Sequence, residues 1–372
     1  MDEKRNALLT IWMICAVILV FTVADIFNET RTFSAAENRI LAAKPDFTWD
    51  ELFYGDYTKD FEDYVTDQFV SRDVWIGIKT KADIVLQKKE INGVYLGEDD
   101  YLIEVHNPED YTEELEDKKL AALKKVVNEW DAKVMLVPTA DNILTDKLPL
   151  FATCYDELAF LEKVKNEVGT DNYVDAYSVL KEHAGEEIYY RTDHHWTSLG
   201  AYYGLQAWSA ATNRYPYPYS VGNMVAVSDN FKGTLHSRIN IDVAQDTIYS
   251  FPETKIRPVK VTYDYMKTTD SLYEESYLET KNQYGYFLDD NHAFVEIDTE
   301  YKNGRTLFII KDSYANCMIP LLTTHYEKIY VLDLRYYNGR LFELMEKCEP
   351  EEGMDVLVLY NCIHFLEDFR YF

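Results

Sequence analysis

The sequence is poor in the residues that staple small secreted domains, with only 5 cysteines among 372 residues. The number is odd, and Cys15 sits inside a long apolar run, so a dense disulfide framework is excluded and stability must come from packing. Metal-ligand spacings such as C-x-x-C or H-E-x-x-H do not occur. Basic residues are scarce too: 37 Lys and Arg stand against 65 Asp and Glu, a formal net charge of -28, and they form no stripe. Nucleic-acid binding depends on clustered cations that neutralise phosphates, so it is discarded, and the excess acid reads as a solvated surface. The chain has no repeat, no low-complexity tract and no G-x-S-x-G elbow of the ordinary α/β-hydrolases.

One long hydrophobic run is present: "ALLTIWMICAVILVFTVA", Ala7 to Ala24, is uncharged and long enough to cross a bilayer as one helix. Lys4 and Arg5 precede it directly, which places the N-terminus in the cytoplasm and the rest of the chain outside. A signal peptide competes, but its apolar core is usually shorter and the only small-residue exit here is Thr22-Val23-Ala24. A retained anchor is favoured. The expected organisation is a tail at 1–6, an anchor at 7–25, a stem and helical extension at 26–90, and a main domain at 91–372.

Within the main domain, "INGVYLGEDDYLIE" carries hairpin chemistry, with Asn92-Gly93 and Gly97 in turn positions. Helices are expected from Thr112, near Asp156 to Val168, and from Thr197 to Ala211. Short apolar strands are expected at "KVMLV", "NYVDAY", "RTLFIIKD", "KIYVLDLR" and "MDVLVLYN". This alternation predicts an α/β fold, a parallel sheet flanked by helices. Residues from about 213 to 305, rich in Tyr and Thr, read as a β-rich or irregular insertion.

Ser313 in "FIIKDSYAN" follows an apolar strand and precedes a helix. Such a serine can be displayed as a nucleophile with its own N–H at a helix N-terminus, or it can simply cap the helix. Asp193 and His195, two apart in "TDHHWTSLGAYYG", suit a carboxylate that orients an imidazole, and a serine beside that imidazole would complete a triad. Trp196, Tyr202 and Tyr203 read as core, and Cys317 as a buried thiol.

The blocks together resemble the SGNH hydrolase superfamily with its halves exchanged in order, a flavodoxin-like α/β arrangement. "KDSYAN" resembles the serine block, "DVLVLYN" the third-strand block, and "DHHWTSLGAY" the final block. The resemblance implies Asn361 as an oxyanion side chain. It also selects His195 over His194, because Gly200 stands five residues after it. "KVMLVPTADN" and "NYVDAYSVL" resemble the strands that precede the final block. The permuted order, the literal D-H-H-W, "ENR" at Glu37 to Arg39 and the 90–104 hairpin are similar to the DHHW family and to alginate-type O-acetyltransferases. Two departures stand out. Lys311 occupies a position where the superfamily has Gly, and Arg335 with Tyr336 occupies the place of a Gly N–H donor. A guanidinium at Arg335 would supply comparable electrostatic help, or simply pair with an acid.

The resemblance implies an extracytoplasmic O-acetyltransferase or acetylesterase acting on a cell-surface glycan. Ser313 would be nucleophile, His195 base and Asp193 orienter, with no metal and no cofactor. It also implies a multipass membrane-bound O-acyltransferase as the source of acetyl groups. Two other readings stay open: a non-catalytic glycan-binding or assembly protein, and a metallophosphoesterase of the kind that uses Asp-His-His as ligands.

Overall fold

In the computed structural model, residues 2–34, 39–214, 219–241, 243–255, 259–350 and 353–370 are described. Glu37 and Asn38 of the "ENR" triplet and parts of the 213–305 insertion lie outside them. Two compact units form, residues 1–88 with 237–241, and residues 89–236 with 242–372.

The first unit is helical. α1 (Asp2–Phe27) contains, within Lys4–Phe27, an 18-residue window of mean hydropathy 2.7, long and apolar enough to cross a membrane. α2 (Trp49–Tyr54) is capped by Thr48 Oγ1, which accepts from Glu51 N–H at 3.2 Å. Gly55, at φ 90°, turns the chain into α3 (Asp56–Gln68), and α4 (Arg72–Val85) follows.

The second unit opens with three short antiparallel strands, Glu90–Ile91, Val94–Leu96 and Leu102–Glu104. Asn92 and Gly93 both take positive φ at the first turn, as a tight hairpin requires. The main sheet, among the described residues, has seven strands: β1 (Lys133–Val137), β2 (Val259–Tyr263), β3 (Lys267–Thr269), β4 (Phe294–Thr299), β5 (Thr306–Lys311), β6 (Lys328–Asp333) and β7 (Asp355–Asn361). Their order is β3-β2-β4-β6-β5-β7-β1. β6, β5, β7 and β1 are parallel, and β4, β2 and β3 add antiparallel neighbours at the β6 side.

The sheet is therefore mixed, whereas the alternation predicted a parallel one. The added strands come from the insertion, whose alternating "VKVTY" and "FVEIDT" runs suit strands with two differently packed faces. "NYVDAY" contributes only a parallel bridge, Val134 to Tyr173. Its extension stops because Asp175 Oδ1 accepts from Ser178 N–H at 3.0 Å and starts a helix, Ala176–Glu182.

Period-two alternation divides the core between the two faces of the sheet. Met135, Val137, Leu307, Ile309, Leu357 and Leu359 pack toward α7 (Ser198–Ala211, numbered after α5 and α6 below). Val134, Leu136, Phe308, Ile310, Val356 and Val358 pack in a second cluster with α5 (Glu113–Trp130), α6 (Glu157–Val168), α8 (Leu341–Cys348) and α9 (Cys362–Asp368). The carboxyl ends of β5, β6, β7 and β1 thus converge on one edge, where an open α/β sheet presents its ligand crevice.

Candidate active site

The chain from Tyr189 to Trp196 doubles back on itself. Those two residues form an antiparallel bridge, and Tyr190 N–H donates to His195 O at 3.2 Å. Asp193 and His195 consequently sit at the tip of a tight loop ahead of α7, which Thr197 caps by accepting from Gly200 N–H at 3.3 Å. A Cβ at Gly200 would lie 2.4 Å from Ile188 O, so only glycine lets the helix close on this loop. Trp196 is buried beneath, its Nε1–H donating to Tyr314 O at 2.8 Å. It is core, as its spacing suggested.

His195 Nδ1 lies 2.6 Å from Asp193 Oδ1, and its Nε2 lies 2.8 Å from Ser313 Oγ. An ionised carboxylate only accepts, so the proton belongs on Nδ1 and Nε2 is left to accept from the serine hydroxyl. The other carboxylate oxygen, Asp193 Oδ2, accepts from Thr234 N–H at 2.8 Å and Thr234 Oγ1 at 3.1 Å. Burial opposes the charge on Asp193, but the neighbouring His194 and His195 and these hydrogen bonds hold it well below the usual carboxylate range. Tyr284 stacks on the His195 ring, centroids 3.8 Å apart, and its hydroxyl donates to Ser313 O at 3.1 Å.

Ser313 follows β5 and opens a 3-10 turn, Ser313–Cys317. The cap of that turn is Asp312, whose Oδ1 accepts from Tyr314 N–H at 3.0 Å. The serine hydroxyl is thereby released from capping and meets the imidazole. Asp312 Oδ2 accepts from Asn361 N–H at 3.1 Å and pairs with His364 Nδ1 at 2.8 Å, tying the ends of β5 and β7 together.

Asn361 caps α9: its Oδ1 accepts from His364 N–H at 2.6 Å. It shares a small cavity with His194, Tyr314, Glu104, His106 and Asp141. Arg335 forms a bidentate pair with Asp333, Nε to Oδ1 at 2.9 Å and Nη2 to Oδ2 at 2.6 Å. It also lines a cleft of about 560 Å³ together with Lys118, Lys119, Lys125, Arg370, Glu367 and Asp368. Lys311 is fully buried, with Nζ 3.2 Å from Asp333 Oδ2 and donating to Asn291 Oδ1 and Asn316 Oδ1 at 3.0 and 2.9 Å. A cation where a glycine was expected serves to neutralise the buried acid at the end of β6.

His194 has a different task from its neighbour. Thr234 Oγ1 gives its single proton to Asp193, so His194 Nδ1–H donates to it, at 2.8 Å. Burial and the adjacent His195 push the His194 pKa down to about 3. Sequence reasoning missed Asp312, Thr234 and Tyr284. Thr234 and Tyr284 carry no local motif, and they reach the site only through the fold.

Two groups bring ligand atoms within metal-binding reach of each other: Asp193, His194 and His195, and the buried His106, Asp141 and Glu157. In the first, both His195 nitrogens and His194 Nδ1 are engaged by protein partners. In the second, Thr139 Oγ1 lies 2.5 Å from Asp141 Oδ1 and 2.6 Å from Glu157 Oε1. One hydroxyl donates once, so one of these carboxyls carries a proton.

The sequence matches the family model described as DHHW protein over residues 132–332, more than half of the chain. Among solved structures it is similar to a DHHW family protein from Eubacterium siraeum, at 23% identity and TM-score 0.61, covering 74% of this chain and 93% of that one. It is also similar to Bacillus cereus PatB1, in a structure with a sulfonyl adduct, at 18% identity and TM-score 0.59, covering 75% and 100%. No curated protein matches.

Proposed function

The chain belongs to the DHHW family, and on that premise we propose that it is a serine-dependent O-acetyltransferase or acetylesterase of a cell-surface glycan, with transfer favoured over hydrolysis. The observation that carries the reading is the unbroken relay from Ser313 Oγ through His195 to Asp193, at 2.8 and 2.6 Å. The acetyl group and the glycan come from the resemblance to alginate-type O-acetyltransferases.

Ser313 Oγ attacks the acetyl carbonyl while its proton passes to His195 Nε2. The tetrahedral adduct collapses, His195 returns that proton to the departing donor alcohol, and an acetyl-serine remains. A sugar hydroxyl then attacks, losing its proton to His195, and Ser313 leaves with that proton. Water in place of the sugar gives hydrolysis. Asp193 holds the Nδ1 tautomer throughout. Ser313 N–H and Asn361 are the proposed oxyanion donors. Arg335, clamped on Asp333, contributes positive charge at the sheet edge, and the cleft it lines supplies basic surface for a charged acceptor on an otherwise acidic chain.

The proposal extends to placement. Residues 7–25 anchor the chain with its N-terminus in the cytoplasm, 26–90 form the stem and helical extension, and 91–372 form the extracytoplasmic catalytic domain. A multipass membrane-bound O-acyltransferase delivers the acetyl groups. The test is a donor–acceptor assay with the full chain in detergent. Acetyl appearing on sugar or in water, and lost in Ser313→Ala, supports the reading, and wild-type turnover surviving in Ser313→Ala sinks it.

A further inference from the structure

Helix α4 is inside out for a segment bathed in water, and α2 beside it exposes Trp49, Phe53 and Tyr54. Among the described residues beyond α1, most of the exposed large apolar side chains fall between Phe47 and Leu86. α4 carries the inversion most clearly. At 3.6 residues per turn Val74, Ile78 and Val85 fall within a stripe about 40° wide, and they are 61%, 51% and 81% exposed. Thr80 and Asp83, on the opposite side, are 0% and 8% exposed. A surface helix in water turns its apolar stripe inward. Burying a threonine and an aspartate while presenting valine and isoleucine outward is the arrangement expected where the outer medium is itself apolar.

The position of this surface identifies the medium. Phe21, inside the membrane-length helix α1, packs against Trp75 and Phe69 with centroids 5.6 and 5.7 Å apart. Val70 N–H donates to Asp25 Oδ1 at 2.7 Å, and Asn28 Nδ2 donates to Gln68 O at 3.0 Å. Phe21 lies six residues before the end of α1, about 9 Å along its axis. The start of α4 is therefore tied to the last turns of the span. The exposed rings include Trp49, Tyr54 and Trp75, the side chains that settle at membrane–water interfaces. α3 exposes Asp56, Asp60, Glu62 and Asp63, which suits a zwitterionic rather than an anionic lipid face.

We propose that α2, α3 and α4 form a collar lying in the bilayer interface around the exit of α1, with Val74, Ile78, Val85, Trp49 and Phe53 seated at the headgroup–acyl boundary. This stands independently of the catalytic reading.

Lipid quenching of tryptophan fluorescence tests it, on the full chain reconstituted in phosphatidylcholine vesicles brominated near the headgroup. The Trp12→Phe protein, which lacks the tryptophan in the middle of α1, is expected to remain quenched by shallow bromines. Adding Trp49→Phe and Trp75→Phe is expected to remove that quenching. No buried tryptophan is altered, and circular dichroism checks the fold. The collar is overturned if the Trp12→Phe protein escapes lipid quenching and its Trp49 and Trp75 emission is instead quenched by aqueous iodide. It is equally overturned if these rings become shielded only in native membranes, since the face would then belong to a protein partner.

Discussion

A Cβ added at Gly233 would lie 2.2 Å from Asp193 Cβ and 2.3 Å from its Oδ2. The backbone of one segment therefore presses directly against the carboxylate that orients His195, and the next residue, Thr234, supplies that carboxylate with two hydrogen bonds. Gly233→Ala is expected to displace Asp193 and lower turnover of a nitrophenyl acetate about 10²-fold, the scale of a misplaced catalytic group. Unchanged turnover in a folded variant would show that Asp193 has no positioning task.

Asn361 has two separable duties, because its Oδ1 caps α9 while its amide nitrogen is the proposed oxyanion donor. Asn361→Ala should lose about 1 kcal/mol of stability with the cap and a factor of about 10²–10³ in rate. Asn361→Asp keeps an acceptor for the cap and lacks the amide donor, so it should lose rate with little loss of stability. Denaturant unfolding beside ester turnover checks both, and a full rate for Asn361→Asp removes the residue from the oxyanion hole.

Lys311→Met leaves Asp333 buried with one cation, Arg335, in place of two. Breaking a buried pair in this way should cost about 3 kcal/mol, read as a shift in urea midpoint at unchanged slope. A shift within error would mean that Arg335 alone neutralises Asp333.

The His106 network sets a pH dependence of stability. Burial, with the nearby Asp141 charge, pushes Glu157 up from 4.5 to about 8. Burial works against a charged His106, but the carboxylates of Asp141 and Glu104 outweigh it and push it up from 6.5 to about 10. Both groups hold their protons more tightly folded than unfolded, so stability declines as pH rises, from about 4.5 to 8 for Glu157 and from about 6.5 to 10 for His106. Glu157→Gln, which mimics the protonated acid, should flatten the first part of the decline. A parallel curve for the variant would place the proton elsewhere.

Chelation separates the serine reading from a metal one. Prolonged treatment with EDTA is expected to leave ester turnover unchanged, and a sulfonyl fluoride is expected to label Ser313. Loss of turnover with EDTA, restored by manganese or zinc, would return Asp193, His194 and His195 to the role of ligands. A folded protein that neither turns over ester nor takes the label would point to a binding module.

What local pattern can carry was legible in the chain itself. The four parallel strands are unbroken apolar runs, because both of their faces are buried, and each helix over 113–130, 157–168 and 198–211 announces its start through Thr112, Asp156 or Thr197. Asp193, His195 and Ser313 were visible as residue types at a loop tip and a strand end. Their meeting at 2.6 and 2.8 Å was not, since Asp193 and His195 are separated from Ser313 by more than a hundred residues. The pairing of β4 with β6, the stacking of Tyr284 on His195 and the hold of Thr234 on Asp193 all join distant segments, which no periodicity encodes. Likewise "DSYAN" offers two side chains able to cap one turn, and a local reading cannot choose between them. The tertiary structure chooses because Asp312 is drawn toward Asn361 and His364 across the sheet edge, which leaves Ser313 facing the imidazole.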